Sequence, residues 1–355
     1  MDERRAFAPR TAMSAPTVAI SGCGAVTELY HGPALAQLSA GGRVRVIGVA
    51  DPAAGRRDAI GRCFPEARRT AEFAELLALG PDLVVVASPP NVHHEQVLAA
   101  LAAGAHVLCE KPLATRGVHA REMATKALAH DRVLAVGMIR RYLPAARLVR
   151  QIVADEIVGA IQRFDVFEGG PFRWPFHAAD YFRLQSAGGG VLADIGPHVV
   201  DLLSWWLGPV ASAVAADDAL GGVDANALLE IRCGSATGRI RLSRDWFRPN
   251  RVVLEGSGGR IVWNLEDVDR IVLERAGTRE SRAVGPPTAT FESCFELQLR
   301  DLLDAMAGRP STVVRADEAV QVVEVVERAY RDSALLEMPW LGPRERAHAR
   351  RIRAQ

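Results

Sequence analysis

A carboxylate and an imidazole stand four residues apart in Gly188-Gly189-Gly190-Val191-Leu192-Ala193-Asp194-Ile195-Gly196-Pro197-His198. Histidine titrates nearest neutral pH, so Asp194 and His198 suit a proton-transfer site. Proline is well tolerated in the first turn of a helix, where its missing N–H has no intrahelical partner. Pro197 therefore predicts a helix beginning just after Asp194, with His198 in its first turn. Val199-Val200, Leu202-Leu203 and Trp205-Trp206-Leu207 give that helix a buried face, and Gly208-Pro209 ends it. The helix dipole and a nearby lysine both disfavour imidazolium, whereas Asp194 favours it. A neutral imidazole is what a general base for alcohol oxidation requires. The plainer alternative is a cap at Asp194 and an ordinary first-turn residue at His198. Asp201, farther into the helix, is either structural or a substrate contact.

A lysine with matching chemistry lies in Glu110-Lys111-Pro112, directly after the apolar run His106–Cys109. At the carboxyl edge of a sheet, Lys111 is able to hydrogen-bond a substrate oxygen and stabilise charge developing on it. Gly22-x-Gly24-x-x-Thr27 follows the first apolar run and opens a helical segment with Ala25 and Val26. Its first glycine makes a tight turn, and its second lets the backbone approach a pyrophosphate at a helix N-terminus. Thr27 departs from the usual Gly or Ala at the third position. Asp51 ends the second strand, where an acidic side chain accepts hydrogen bonds from ribose hydroxyls and favours NAD. Arg56 and Arg57 follow closely and are able to meet a 2′-phosphate, so NADP stays open beside NAD. Ser88-Pro89-Pro90-Asn91 reads as a stiff loop at the carboxyl end of another strand, lining the same crevice with Glu110 and Lys111.

The elements that must position these residues alternate. Thr17–Ser21, Val44–Val49, Leu83–Ala87, His106–Cys109 and Val133–Met138 are short apolar strands, with helices including Ala25–Leu38 and His93–Ala103 between them. Continuous apolar strands alternating with helices imply a parallel sheet covered on both faces. Beyond it, Leu228–Arg232, Arg239–Leu242 and Val252–Glu255 alternate as antiparallel strands, and Phe291–Met306 and Ala316–Arg331 read as helices. A chain of 355 residues is too long for one ordinary core, so two domains are expected. Forty-three basic against 42 acidic side chains leave no electrostatic reason to expect nucleic acid or a membrane surface as partner. The five cysteines form no C-x-x-C pair, which implies reduced thiols in cytoplasm and no metal site. Arg4-Arg5 is followed by no apolar signal region, so residues 1–15 read as a disordered leader.

Together these segments resemble the Gfo/Idh/MocA oxidoreductases. The resemblance is carried by Gly22-x-Gly24 with His31-Gly32-Pro33-Ala34-Leu35, Ser88-Pro89-Pro90-Asn91, Ala105 to Leu113, Arg141-Tyr142-Leu143-Pro144, and Gly188 through Trp205. It implies an α/β architecture: an N-terminal Rossmann doubly wound parallel sheet (16–138) and a C-terminal α/β domain with a large, mostly antiparallel sheet (139–340). A basic tail (341–355) follows. One face of the second sheet would help enclose substrate, while the other often forms a subunit interface, giving a homodimer or homotetramer. The family's lysine, aspartate and histidine carry over to Lys111, Asp194 and His198. The expected reaction moves a hydride between NAD(P) and a hydroxyl-bearing carbon of a sugar, cyclic polyol or sugar derivative. Lys111 would polarise the oxygen, His198 would take the proton, and Asp194 would orient substrate or His198. Arg141, Trp174, His177, Tyr181 and Arg183 are candidate substrate contacts, though the aromatics around Trp174 would equally make a satellite core. Arg244, Trp246 and Arg248 follow a strand and would reach the same cleft. Two other readings compete: an internal-redox enzyme with tightly bound cofactor, and a non-catalytic dinucleotide-binding regulator. An acid–base set argues against the regulator.

Overall fold

The computed structural model describes residues 15–172, 174–175, 182–220, 222–286, 288–339 and 341–353. The leader up to residue 14 and two of the candidate substrate contacts, His177 and Tyr181, lie outside the described residues.

The first half builds a six-stranded sheet from β1 (Thr17–Ser21), β2 (Arg45–Ala50), β3 (Arg68–Thr70), β4 (Leu83–Val86), β5 (His106–Cys109) and β6 (Leu134–Val136), in the order 3-2-1-4-5-6. Every pairing is parallel. The central strands have apolar middles, Val18 to Ile20 and Leu83 to Val86, all wholly buried because helices cover both faces. The connecting helices are α1 (Gly32–Ala40), α2 (Ala54–Cys63), α3 (Phe73–Leu77), α4 (Pro90–Ala102) and α5 (Gly117–Ala129). Strand order reverses between β1 and β4, and ligands of such sheets bind in the crevice at that reversal. The expected loop Ser88-Pro89-Pro90-Asn91 is cut short, because Pro90 and Asn91 already belong to α4. Proline at the first helical position forfeits no hydrogen bond, so Pro90 starts the helix rather than delaying it.

The second half continues with α6 (Pro144–Ala154), β7 (Ile161–Gly169), α7 (Leu184–Ala187), α8 (Val191–Leu207), β8 (Val210–Asp217), β9 (Asn226–Cys233), β10 (Ala236–Ser243), β11 (Arg251–Gly256), β12 (Gly259–Asn264), β13 (Arg270–Arg275) and β14 (Thr278–Ala283). Helices α9 (Phe291–Met306) and α10 (Ala316–Arg331), strand β15 (Ala334–Leu335) and helix α11 (Pro343–Arg353) complete it. Nine strands form one sheet in the order 14-13-12-11-7-10-9-8-15, antiparallel except at β7–β10 and β8–β15. Ile240 and Leu242 of β10 are buried, with α8 packed on that side, while Arg239, directly before Ile240, points the other way and pairs with Asp165 in the open. That alternation is what a sheet with one covered face requires.

Two features were not legible in the strand pattern. Helices α9 and α10 return to pack on α1 and α5, and Val136 of β6 donates its N–H to Val314, so the C-terminal segment also closes the first sheet. The basic tail forms a helix over Pro343–Arg353. Ala349 is buried, and Arg346 and Arg350 pair with Glu337. No helix among the described residues is long and apolar enough to cross a membrane.

Candidate active site

The glycine loop between β1 and the first helix fits a dinucleotide. Gly22 has φ +92°, and a Cβ there would sit 2.4 Å from the Ala87 carbonyl at the end of β4, so only glycine suits the turn. Gly24 faces open space, with nothing within 4 Å of where a Cβ would be, beside a helix N-terminus at Ala25 and Val26. Backbone room next to orphan amide donors is what a pyrophosphate needs. Thr27 is tolerated because its hydroxyl donates to the Gly22 carbonyl at 2.6 Å and rigidifies the loop from within. Asp51 is buried at the end of β2 and accepts from the amides of Cys23 (3.0 Å) and Ala53 (2.8 Å). Arg56 lies 3.3 Å from the same carboxylate, and Arg57 turns to the carbonyls of Asp51 and Pro52. Across the crevice Ser88 donates to Gln96 at 2.8 Å, Pro89 precedes α4, and Asn91 is exposed in its first turn.

The first helix opens as a π-turn, Thr27–His31, before continuing as α1. Pro33 has no N–H for the α register and its ring crowds the preceding turn. The chain widens instead, and Gly32 donates to the carbonyl of Thr27. This brings His31 inward, fully buried, with Nε2 2.8 Å from Glu110 Oε1. The other carboxylate oxygen of Glu110 accepts the Lys111 amide at 3.1 Å. Burial pushes the Glu110 carboxyl up, but the His31 hydrogen bond and the neighbouring charges outweigh it and hold Glu110 below the usual carboxylate range. Buried His93 sits between the Ser88 and Pro112 carbonyls, at 2.8 and 3.0 Å, and ties the two crevice loops together.

Helix α8 begins at Val191, one turn earlier than Pro197 suggests. Pro197 lies in the helix interior, Asp194 occupies the first turn, and His198 follows one turn later. The early start comes from caps distant in sequence. Asp224 accepts from the amides of Gly190 (2.7 Å) and Leu192 (2.9 Å), and the Tyr330 hydroxyl accepts from Gly190 (3.1 Å) and Ala193 (2.9 Å) while donating to Asp224 at 2.6 Å. These groups satisfy the orphan donors of the first turn. The triple glycine admits them: a Cβ at Gly189 would meet the Tyr330 hydroxyl at 2.2 Å, and one at Gly190 would meet the Asp224 carbonyl at 1.9 Å. Asp224 and Tyr330 carry no local signal of this role.

From this helix Asp194 reaches across to the first domain. Lys111 Nζ donates to its Oδ1 at 2.8 Å and to its backbone carbonyl at 2.9 Å, and Arg244 at the end of β10 engages its Oδ2. Arg244 in turn lies over the Phe172 ring, 4.9 Å from its centroid. His198 is half-buried on the same helix, and its Nδ1 has no partner among the described residues. Burial pushes the His198 imidazole well below the ordinary histidine range. Lys111 and Arg140 push the same way, and Asp194 opposes them. The net direction, which the sequence left open, is toward a neutral ring.

The candidate substrate contacts separate. Arg141 is buried and pairs not with Asp194 but with buried Asp201 (2.7 and 2.9 Å) and with the exposed Glu318 (2.9 Å), its guanidinium over Trp205. This also gives Asp201 a structural partner. The neighbour Arg140 faces the site instead, bidentate with Glu168 of β7 at 2.5 and 2.6 Å. Sequence reasoning missed Arg140 and Glu168, because one position in a 3₁₀ turn (Ile139–Tyr142) decides which arginine turns inward. Trp174 stacks on Tyr30 with centroids 6.0 Å apart, and Tyr30 stacks on Phe295, which is the satellite-core alternative. Arg183 occupies the position before α7 and is exposed. Trp246 and Arg248 contact Phe167 rather than Asp194.

An open glycine cradle thus lies at a strand-order reversal, and Lys111 meets Asp194 where the two halves of the chain join, with His198 on the same helix. Two family descriptions match: "Oxidoreductase family, NAD-binding Rossmann fold" over residues 17–138, and "GFO/IDH/MocA C-terminal domain" over residues 146–262. The chain belongs to the Gfo/Idh/MocA family of NAD-binding oxidoreductases. It is 28% identical over 297 residues to the rhizopine catabolism protein MocA of Rhizobium meliloti, a match spanning 81% of this chain and 86% of that protein. It is 27% identical over 242 residues to levoglucosan dehydrogenase of Pseudarthrobacter phenanthrenivorans, spanning 57% of this chain and 60% of that protein. A solved levoglucosan dehydrogenase in complex with NADH and levoglucosan superposes with a TM-score of 0.79 at 20% identity, over 89% of this chain and 96% of that one. That likeness speaks to the fold.

Proposed function

We propose that the chain oxidises a secondary hydroxyl of a sugar, cyclic polyol or sugar derivative with NAD+, or reduces the matching ketone, with Lys111, Asp194 and His198 as its working groups. One observation carries this reading: Lys111 of the first domain and Asp194 of the second meet beside a half-buried imidazole whose Nδ1 has no partner among the described residues. The dinucleotide would be held by Gly22, Gly24, Ala25, Val26, Asp51, Ser88 and Pro89, and its nicotinamide supplies the hydride acceptor when bound.

In oxidation His198 accepts the hydroxyl proton as the carbon loses its hydride. The environment supports that role, because burial and two nearby cations keep the ring neutral and ready to take a proton. Lys111 donates to the substrate oxygen, stabilising the negative charge that builds there. Asp194 fixes the ammonium through both its carboxylate and its carbonyl, while Arg244 holds the carboxylate from the other side. In reduction the same proton returns from His198 to the oxygen. Glu110 is fully engaged by His31 and the Lys111 amide, so we assign it to holding the loop rather than to touching cofactor. Arg141 belongs to the scaffold for the same reason, and Arg140 with Glu168 takes its place as a polar wall beside His198.

The relatives include a levoglucosan dehydrogenase, which supports a sugar-like substrate. The test is reduction of NAD+ and NADP+ by the purified protein over a panel of anhydrosugars, inositols and hexoses, followed at 340 nm. Turnover that disappears in both Lys111→Met and His198→Asn supports the reading. Tight NADH binding with no turnover on any member of the panel would favour the internal-redox or regulatory alternative.

A further inference from the structure

His31 has no part in the chemistry above, yet it is fully buried and one of its ring nitrogens, Nδ1, has no partner among the described residues. Burying an imidazole beside a carboxylate carries a desolvation cost that only close, well-made hydrogen bonds offset, and here the contact is 2.8 Å. The pair sits between two working parts. His31 ends the π-turn of the helix that opens at the glycine loop, and Glu110 begins the loop that carries Lys111. Phe295 packs edge-on against the His31 ring, 5.1 Å between centroids, and fixes its plane. The space around Glu110 is tight as well, since a Cβ at Gly137 would meet its carboxylate at 2.9 Å.

We propose that His31 is a positioning residue for the reaction. It locks one oxygen of Glu110, the other oxygen locks the Lys111 amide, and the Lys111 ammonium is thereby held at Asp194. This rests on the reading of Lys111 as the group that polarises the substrate oxygen. The helix that begins at the cofactor cradle thus also sets the register of the lysine.

The chain offers a clean probe, because only two of its 43 basic residues are lysines, Lys111 and the exposed Lys126. Amine labelling followed by mass spectrometry reports on Lys111 with Lys126 as internal reference, and needs no turnover. The informative variants are His31→Gln, which keeps a donor toward Glu110, and the double replacement His31→Leu with Glu110→Leu. Replacing both partners of a buried hydrogen-bonded pair by apolar residues of similar size is often nearly neutral, so the double variant is expected to fold. Its Lys111 should label about tenfold faster relative to Lys126, and its kcat should fall by about 10- to 100-fold with substrate KM nearly unchanged, the cost of a misplaced catalytic group. His31→Gln should restore most of both. A folded double variant with wild-type labelling of Lys111 would overturn the proposal. Faster labelling in a protein whose wild type turns over no substrate would uphold the positioning and reject the functional reading instead.

Discussion

Removing one oxygen atom from the Tyr330 side chain tests how α8 is held at its N-terminus. In Tyr330→Phe the Ala193 amide loses its acceptor, Asp224 loses a donor, and the Gly190 amide keeps only Asp224 at 2.7 Å. A buried amide left unpaired costs about 1–3 kcal/mol, and a lost hydrogen bond to a carboxylate adds a comparable amount. Some of this overlaps because the three groups form one network, so the expected loss is about 2–4 kcal/mol. It should appear as a lower denaturant midpoint at unchanged m-value. The first turn of α8 carries Asp194, so kcat should fall as well, while NADH affinity, set in the other domain, should hold. The pH dependence has a definite sign. Burial pushes the Asp224 carboxyl up, and Tyr330 is the leading group that holds it down. Without Tyr330 the folded-state value rises further, and a carboxyl with a raised folded value loses stability as pH rises from its unfolded value through its folded one. The deficit should therefore be largest at neutral pH and shrink toward pH 4. An unchanged midpoint, or a deficit that grows in acid, would refute the capping role.

Other outcomes follow from the same geometry. The acid limb of kcat/KM should lie well below pH 6.5, because burial, Lys111 and Arg140 lower the His198 value; a limb centred near an ordinary histidine would remove His198 as the base. The unfolded chain binds a proton at His198 below about pH 6.5 that the folded state refuses, so this group makes stability fall as pH drops through that range. Chemical denaturation of wild type and His198→Asn between pH 7.5 and 5.5 should show the wild type losing more. Asp51→Ala strands the Cys23 and Ala53 amides and removes the carboxylate beside Arg56. Fluorescence titration should show NADH binding weakened about tenfold or more, with NADPH affected less. Lys111→Arg keeps the charge but not the compact ammonium that fits between the two Asp194 oxygens, and kcat should fall about 100-fold in steady-state assays.

Much of the first sheet could be read from local pattern, because parallel strands buried on both faces are apolar runs with sharp ends. Leu83 to Val86 is such a run. The chemistry of Gly22 and Gly24 was equally local. The start of α8 was not: Pro197 pointed to a first turn that lies elsewhere, since the caps come from Asp224 and Tyr330, 34 and 140 residues from Gly190. Arg140 and Arg141 are adjacent and alike in type, and only the 3₁₀ turn distinguishes the one facing His198 from the one buried with Asp201. The composition also carries a signal for Lys111. In a chain that uses arginine at nearly every cationic position, a lysine after an apolar strand stands out, and lysine differs from arginine in being a compact, rotatable donor.

The central claim is that Lys111 and His198 act on one substrate oxygen from two domains. The most direct measurement is steady-state NAD+ reduction with the best polyol or sugar from the panel, compared among wild type, Lys111→Met, His198→Asn and the double variant. Groups that act together on one transition state give strongly non-additive losses. Each single variant should lose about 100- to 1000-fold in kcat, and the double variant little more than the worse single one. Wild-type turnover in either single variant, or losses that simply multiply in the double, would contradict the account.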